Sequence, residues 1–335
     1  MTRYVIRRLL WAVVLFLAVT LVTFVIFYLI PVDPARQAAG KAATPAQIQE
    51  VAHRLYLDRP IWQQYLHFLD ELVHGNLGYS YANRQSVNET IKQAAPVTAS
   101  LVIGAAILWL AMAVPIGVYS ALRPRTKGDR AAMGFVLAGI SVHPVWLGLV
   151  ASYLLAFVPT QGSFLGIHFP SFTLFPIQGY CNLKGAAPGE PCGGPVQWAY
   201  HLVLPWFVLA IGYAAFYVRL VRSSTMEVLN EDYVRTARAK GVPASQVLRS
   251  HVLRNAMLPV VTAFGMDIAL ALAGAVLIEF VFGLPGLGYV AVHSLYQFDY
   301  PVTLGVVVFA SIIVIVANLV VDLLYAWIDP RIRLS

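Results

Sequence analysis

The sequence predicts an all-α polytopic membrane protein with six transmembrane helices and both termini in the cytoplasm. Three observations carry this. Of 335 residues, 59% are hydrophobic and only 12% are charged, half the charged share of an ordinary soluble domain. Mean hydropathy is +0.70, and the apolar residues gather into blocks long enough to cross a hydrocarbon core of about 30 Å. Lys and Arg are distributed unevenly between alternate connections, which sets orientation more strongly than the net charge of +7. This pattern excludes a soluble enzyme, a disordered chain and a disulfide-framework module. A membrane β-barrel is excluded as well, since its strands would be about ten residues long and alternating.

The spans are read in order as Leu9 to Ile30, Val97 to Leu122, Ala131 to Val158, Trp198 to Val218, Ala256 to Phe282 and Val302 to Ile328. Pro115, Pro144 and Pro205 interrupt them, as membrane helices allow when neighbours re-satisfy the freed backbone groups. Sixteen of the 23 Lys and Arg fall on one side: before the first span, in the second and fourth connections, and in the tail. The other seven lie between Pro31 and Pro96, where six acids balance six of them, and at Lys184. The positive-inside rule places the sixteen in the cytoplasm. The first span reads as a retained helix rather than a cleaved leader, because its apolar run is long and no small-residue cleavage site follows.

Residues 31–96 form an extracytoplasmic segment. Thr44-Pro45-Ala46-Gln47 opens a helical stretch and Pro60 to His74 has helical spacing, so a small helical cap is expected. The third connection, residues 159–197, is rich in Gly, Pro and Phe and lacks a helical period. It holds the chain's two cysteines, Cys181 and Cys192, on the oxidising side; a disulfide between them is expected. Closing so short a loop is worth about 3 kcal/mol against the unfolded chain. A zinc site is not expected, for want of further ligands.

The cytoplasmic connection, residues 222–258, lies in the stretch from Arg222 to Pro259, which reads RSSTMEVLNEDYVRTARAKGVPASQVLRSHVLRNAMLP. Asn230 is expected to cap a helix, with Glu231 and Asp232 at its positive end and Glu231 paired with Arg235 four residues on. That helix runs to Lys240 and stops at Gly241 in a left-handed conformation. Pro243 starts a second helix with Val247, Leu248 and Val252 on one side. A basic amphipathic pair lying on anionic lipid accounts for the charge of this stretch, but not for its Gly turn or its length.

This stretch resembles the coupling loop, or EAA loop, of ABC-importer permeases in the form found in dipeptide, oligopeptide and nickel permeases. Glu231 to Gly241, followed by His251 to Thr262, carries the likeness, which extends over almost the whole chain. Pro31 to Pro34, Leu57 to Pro60, Gly75 to Ser80, Glu279 to Gly288, Asp299 to Pro301, Asn318 to Tyr325 and Asp329 to Arg333 are also similar to signatures of that family. The chain looks most like its B-type dipeptide permease subunits, although Arg235-Thr236-Ala237 stands where the general pattern has Glu-Ala-Ala.

The resemblance implies a type I ABC-importer permease with three parts: 1–30, the N-terminal residues and first span; 31–96, the extracytoplasmic segment; and 97–335, the core permease domain. It implies a multi-pass protein of the prokaryotic plasma membrane that imports di- or oligopeptides. Nickel chelates, haem or another small ligand carried by the same machinery is the alternative, and a proton-coupled secondary transporter using Asp267 is one of another class. Implied partners are a homologous second permease, two ATPase subunits, an extracytoplasmic substrate-binding protein and membrane lipid, with no nucleic acid. The chain has no G-x-x-x-x-G-K-[ST] run, so it cannot cradle ATP phosphates itself; ATP and Mg are expected on the ATPase subunits, no cofactor is expected on this chain, and no catalytic or metal-ligating residue is assigned. Coupling residues by likeness are Glu231, Asp232, Arg235, Ala237 and Gly241.

Polar residues inside the spans are the remaining candidates. A carboxylate at the bilayer centre costs roughly 2.5–3.5 kcal/mol, so it faces protein or water. For Asp267 two readings stand: a polar point on the translocation path, or a hydrogen bond to a neighbouring helix or the partner permease. His143, beside Ser141, is a path candidate against the commoner role of a bonded or packed histidine. Asp322 reads as structural, and Glu279 as a brace for the turn Gly283 to Gly288.

Overall fold

The computed structural model describes residues 2–29, 34–39, 43–54, 56–80, 82–164, 167–168, 171–172, 174–185 and 192–328. Pro31 to Asp33 and the motif Asp329 to Arg333 lie outside them, as does the side chain of Asp322. The helices are α1 (Thr2–Leu29), α2 (Pro34–Ala39), α3 (Pro45–Arg54), α4 (Ile61–Val73), α5 (Val87–Leu122), α6 (Lys127–Ser141), α7 (Pro144–Ser152), α8 (Val158–Gln161), α9 (Pro195–Leu229), α10 (Asp232–Ala239), α11 (Ala244–Gln246), α12 (Arg254–Ala256), α13 (Leu258–Phe282), α14 (Leu287–Tyr296) and α15 (Tyr300–Ile328). π-turns Tyr153–Phe157 and Val247–Leu253 link α7 to α8 and α11 to α12. Among the described residues the sole sheet is an antiparallel pair of two-residue strands, Ser163–Phe164 and Ile167–His168. Among the described residues six helical stretches are long and apolar enough to span a membrane: Ile6–Phe27, Val87–Leu122, Pro144–Gln161, Pro195–Leu229, Leu258–Phe282 and Tyr300–Val321.

The second, third and fourth spans differ most from their sequence-based outlines. Helix α5 begins at Val87 rather than Val97, and α9 continues to Leu229 rather than Val218. Hydropathy locates where the chain leaves lipid, but helical hydrogen bonding continues into water. With 36 and 35 residues, these helices are each about 53 Å long. The third span is broken at Val142 and His143, both extended (φ −94°, ψ 125° and φ −72°, ψ 132°). Pro144 disfavours the helical conformation in the residue before it, which here is extended, and becomes the first residue of α7. Pro205 instead stays inside α9, so a proline in a span is not by itself a break.

The chain forms two compact units. One comprises residues 1–96 and 286–335. In it α15 packs against α1 and α14, and Val87, Ile91, Ala94, Leu287, Val302 and Val306 form a buried cluster. Thr44 and Gln47 make a reciprocal capping box at α3, with Thr44 N–H donating to Gln47 Oε1 (2.8 Å) and Gln47 N–H to Thr44 Oγ1 (3.4 Å). Helix α4 is tied to α1 by a Thr20–Tyr65 hydroxyl pair at 3.1 Å and by Phe24 packed on Tyr65 and Phe68. Two motifs far apart in sequence meet here: buried Asp299 accepts from the Ser80 hydroxyl and from the Ala82 N–H.

The other unit comprises residues 97–285 and is organised around α9. Its core includes Trp109, Leu202, Tyr217, Val218, Val221, Ala275 and Ile278, all fully buried. Small residues bring the helices close. A Cβ on Gly117 would lie 2.7 Å from Val221 Cβ and 2.9 Å from the Val218 carbonyl, and one on Gly139 would lie 2.6 Å from Ala215 Cβ. Such close approach is how membrane helices gain van der Waals contact where water gives no driving force. Leucines, valines and Trp11 on α1 stay exposed, as suits a helix against lipid.

Gly117→Val is expected to push α5 off α9 at a cost of about 1–3 kcal/mol. Gly134→Ala, which meets nothing within 4 Å, should leave thermal unfolding of the purified protein unchanged or raise its midpoint slightly. Equal midpoints for both variants would contradict this packing.

Candidate coupling site and membrane-embedded polar groups

The stretch after α9 folds as a helix, a tight turn and a second helical segment. Asn230 does not cap the helix that follows; its Nδ2 donates back to the Met226 carbonyl (2.9 Å) and ends α9. The N-cap of α10 is Glu231, extended at φ −67°, ψ 145°, without a side-chain cap bond. The expected ion pair shifts by one residue: Arg235 Nη1 lies 3.7 Å from Asp232 Oδ1, not beside Glu231. Both partners are exposed, so the pair adds little stability.

The turn is a Schellman motif. Gly241 has φ +78°; its N–H donates to the Arg238 carbonyl (3.0 Å), and the Val242 N–H donates to the Ala237 carbonyl (3.3 Å). Nothing lies within 4 Å of where a Cβ would sit, so glycine is required here by backbone conformation and not by space. Val234, Ala237, Val247 and Val252 are buried against one another, with Val228, Leu229, Val242 and Leu248 packed on them. Ala237 therefore seats α10 from within, while Glu231, Asp232, Arg235 and Gly241 lie on the exposed side. Asn255 Nδ2 donates to the Tyr233 hydroxyl at 2.7 Å, fastening α10 to α12.

A buried ion pair stands behind this loop. Arg222, two turns before the end of α9, donates from Nε to Asp129 Oδ1 (2.9 Å) and from Nη2 to Oδ2 (3.2 Å). Asp129 also accepts from the Ser120 hydroxyl and from the Arg125 N–H (2.8 Å). Thr126 caps α6 by accepting from the Asp129 N–H. The contact joins the cytoplasmic ends of α5, α6 and α9. Sequence reading passed over it, although Thr126-Lys127-Gly128-Asp129 carries the [ST]-x-x-[DE] helix-start signal. The Arg222 guanidinium, then the Ser120 hydroxyl and the Arg125 amide, hold the Asp129 carboxyl far below the usual carboxylate range.

Within the spans, Asp267 Oδ2 accepts from the buried Tyr217 hydroxyl at 2.8 Å. Glu279 is fully buried and accepts from the Thr98 hydroxyl at 2.6 Å. Its carbonyl, rather than its carboxylate, meets the turn that follows, accepting from the N–H groups of Gly283 and Leu284. His143 caps α7 by accepting from the Val145 N–H (3.3 Å), and Ser141 donates to the Leu137 carbonyl (2.7 Å). Both are thus engaged within their own helix ends.

Cys181 and Cys192 are disulfide-bonded, with Cα atoms 5.4 Å apart. Gly194 N–H donates to the Asn182 carbonyl and Gly193 N–H to Gln197 Oε1, anchoring the loop on the start of α9. His201 Nδ1 lies 3.2 Å from Cys181 Sγ. The three side chains are near enough to share an ion, but sulfurs bonded to each other are not the thiolates a metal takes.

Residues 113–334 match the family described as binding-protein-dependent transport system inner membrane component, and residues 1–102 match its N-terminal region. The chain is similar to the dipeptide transport system permease protein DppB of Escherichia coli (strain K12), at 38% identity over 99% of both chains. It is 36% identical to the di/tripeptide permease DppB of Pseudomonas aeruginosa, over 99% of both. It is also 36% identical to the oligopeptide permease AppB of Bacillus subtilis, over 99% of this chain and all of that one.

Two outcomes are expected. Because the native carboxyl of Asp129 titrates below its ordinary value of 3.8, its stabilising contribution is present above that value and is lost as pH falls through the native one. Asp129→Asn should therefore lower the unfolding midpoint by a constant amount between about pH 5 and 8, and the gap should close in strong acid; a gap that widens on acidification contradicts the ion pair. Thiol labelling of unreduced, denatured protein should modify neither cysteine, and labelling after reduction should modify both.

Proposed function

We infer the function of this chain from its family: it belongs to the binding-protein-dependent transport system inner membrane components. It is a multi-pass protein of the bacterial inner membrane, the permease component of an ABC importer, and works with an ATPase and a substrate-binding protein. We read the cargo as di- and oligopeptides. The observation that carries this is similarity, over practically the full length, to three permeases named for such peptides.

In this reading the exposed side of α10, with Glu231, Asp232 and Arg235, docks on one of two ATPase subunits, which hold ATP and Mg, and a homologous second permease completes the path. ATP-driven closure moves α10. The motion has two rigid routes onward. Val228 and Leu229 of α9 share the small core that seats α10, and α12 runs through Met257 into α13. The Asp129–Arg222 contact then ties α9 to the ends of α5 and α6, so these helices answer the stroke together. Such a device is a two-state element biased by a ligand held on another chain. The disulfide-closed loop faces the docked binding protein, and Asp267 belongs to the translocation path.

If the loop transmits the stroke, its geometry matters more than its charge. Gly241→Val places a Cβ where φ is +78°, at a cost of about 1–2 kcal/mol, and should misaim α10. The expected phenotype is normal insertion with peptide uptake lost or uncoupled from ATP hydrolysis. A loop that merely adheres to lipid predicts near-normal uptake by that variant and a strong effect of neutralising Arg235, Arg238 and Lys240.

A further inference from the structure

Asp267 is the tenth residue of α13, roughly 14 Å along the helix from its cytoplasmic start and so close to the bilayer centre. It is half-buried, between the exposed Met266 and Leu270. Only Oδ2 is engaged, by Tyr217; among the described residues Oδ1 accepts no hydrogen bond and no Lys, Arg or His pairs with the carboxylate. Buried Asp129, in contrast, is matched by Arg222. A carboxylate at this depth does not face lipid, so its open oxygen faces protein or water and lacks a cation.

Its surroundings are aromatic. Tyr213 lies one turn from Tyr217 on α9 and stacks on Trp109, with ring centres 4.6 Å apart. Phe264, three residues before Asp267 and thus on the same face of α13, sets its edge to Trp109 at 5.8 Å. Tyr213 and Phe264 are both part-exposed. A carboxylate with one free oxygen, on helices that carry part-exposed aromatic residues within a turn of it and of its Tyr217 partner, suits a primary ammonium, which a carboxylate and aromatic rings both attract. It does not suit a carboxylate or a phosphate.

We propose that Asp267, positioned by Tyr217 and flanked by Tyr213 and Phe264, binds the α-ammonium group of the cargo during its passage. This rests on the peptide reading of the cargo. The test uses the transporter reconstituted in proteoliposomes with its own ATPase and binding-protein partners, supplied with dialanine or with N-acetyl-dialanine, each driven to saturation of the binding protein. The readout is the ratio of the two uptake rates. Asp267→Asn, which keeps an acceptor for Tyr217, should reduce the preference for the free amine about tenfold, while Asp267→Glu retains most of it. A part played only in helix packing or against the partner permease lowers both rates together and leaves the ratio unchanged; that result, or an unaltered ratio at wild-type rates, overturns the proposal. Uptake of neither peptide by the unsubstituted complex would refute the peptide reading itself.

Discussion

The burial of α9 is the constraint on which residues 97–285 depend. This one helix packs against α6, α7, α10, α12 and α13. Its contact residues must be apolar or small on nearly every side, and those facing it must make room. Gly117 and Gly139 do so by lacking a Cβ where Val221, the Val218 carbonyl and Ala215 come close. The same helix supplies Tyr217 to Asp267, Arg222 to Asp129 and the last turn that seats α10. A helix with so many duties cannot shift alone; displacement of its cytoplasmic end has to be shared by its neighbours.

Polar groups follow from the solvent in which this core is built. Neither lipid nor packed protein supplies water, so each buried carboxylate needs a donor from another element. Glu279 finds Thr98, Asp129 finds Ser120 and Arg222, and Asp299 finds Ser80. These pairings join stretches of chain up to 219 residues apart. The ionic pairing among them, Asp129 with Arg222, adds less net stability than its Coulombic energy suggests, because desolvation offsets it. Their consequence is geometric: removing one partner leaves a charge that cannot be solvated, which penalises any arrangement that separates the two. Asp267 stands apart, half-exposed and, among the described residues, held at one oxygen alone.

The cytoplasmic loop shows how separately a short sequence can encode seating and docking. Inward residues of α10, Val234 and Ala237, form a miniature core with Val247 and Val252. Outward residues carry charge and make one weak ion pair. The Schellman turn at Gly241 fixes the angle between the two segments through backbone conformation. Charge on the outer face is thus free to serve a partner, because the fold of the loop does not depend on it.

Fold class, number of spans and family were all legible in the sequence, which also carries the signal for orientation. Each rests on a property that is additive along the chain: apolar length, counts of Lys and Arg, or a run of matching residues such as Glu231 to Gly241. The left-handed Gly241 was legible too, since a glycine after a helical run has few other reasons to be there. Local chemistry went wrong where two readings were a residue apart, as with Asn230 closing α9 and Asp232 taking Arg235. Pro144 and Pro205 mark a sharper limit. Both interrupt apolar runs, yet only Pro144 breaks its helix, and no property of the sequence near either one separates them. Which acid meets which donor was decided by tertiary structure alone. Ser80 and Asp299, or Ser120, Asp129 and Arg222, are brought together by helix packing, and the pairing energy depends on distances that no linear pattern contains.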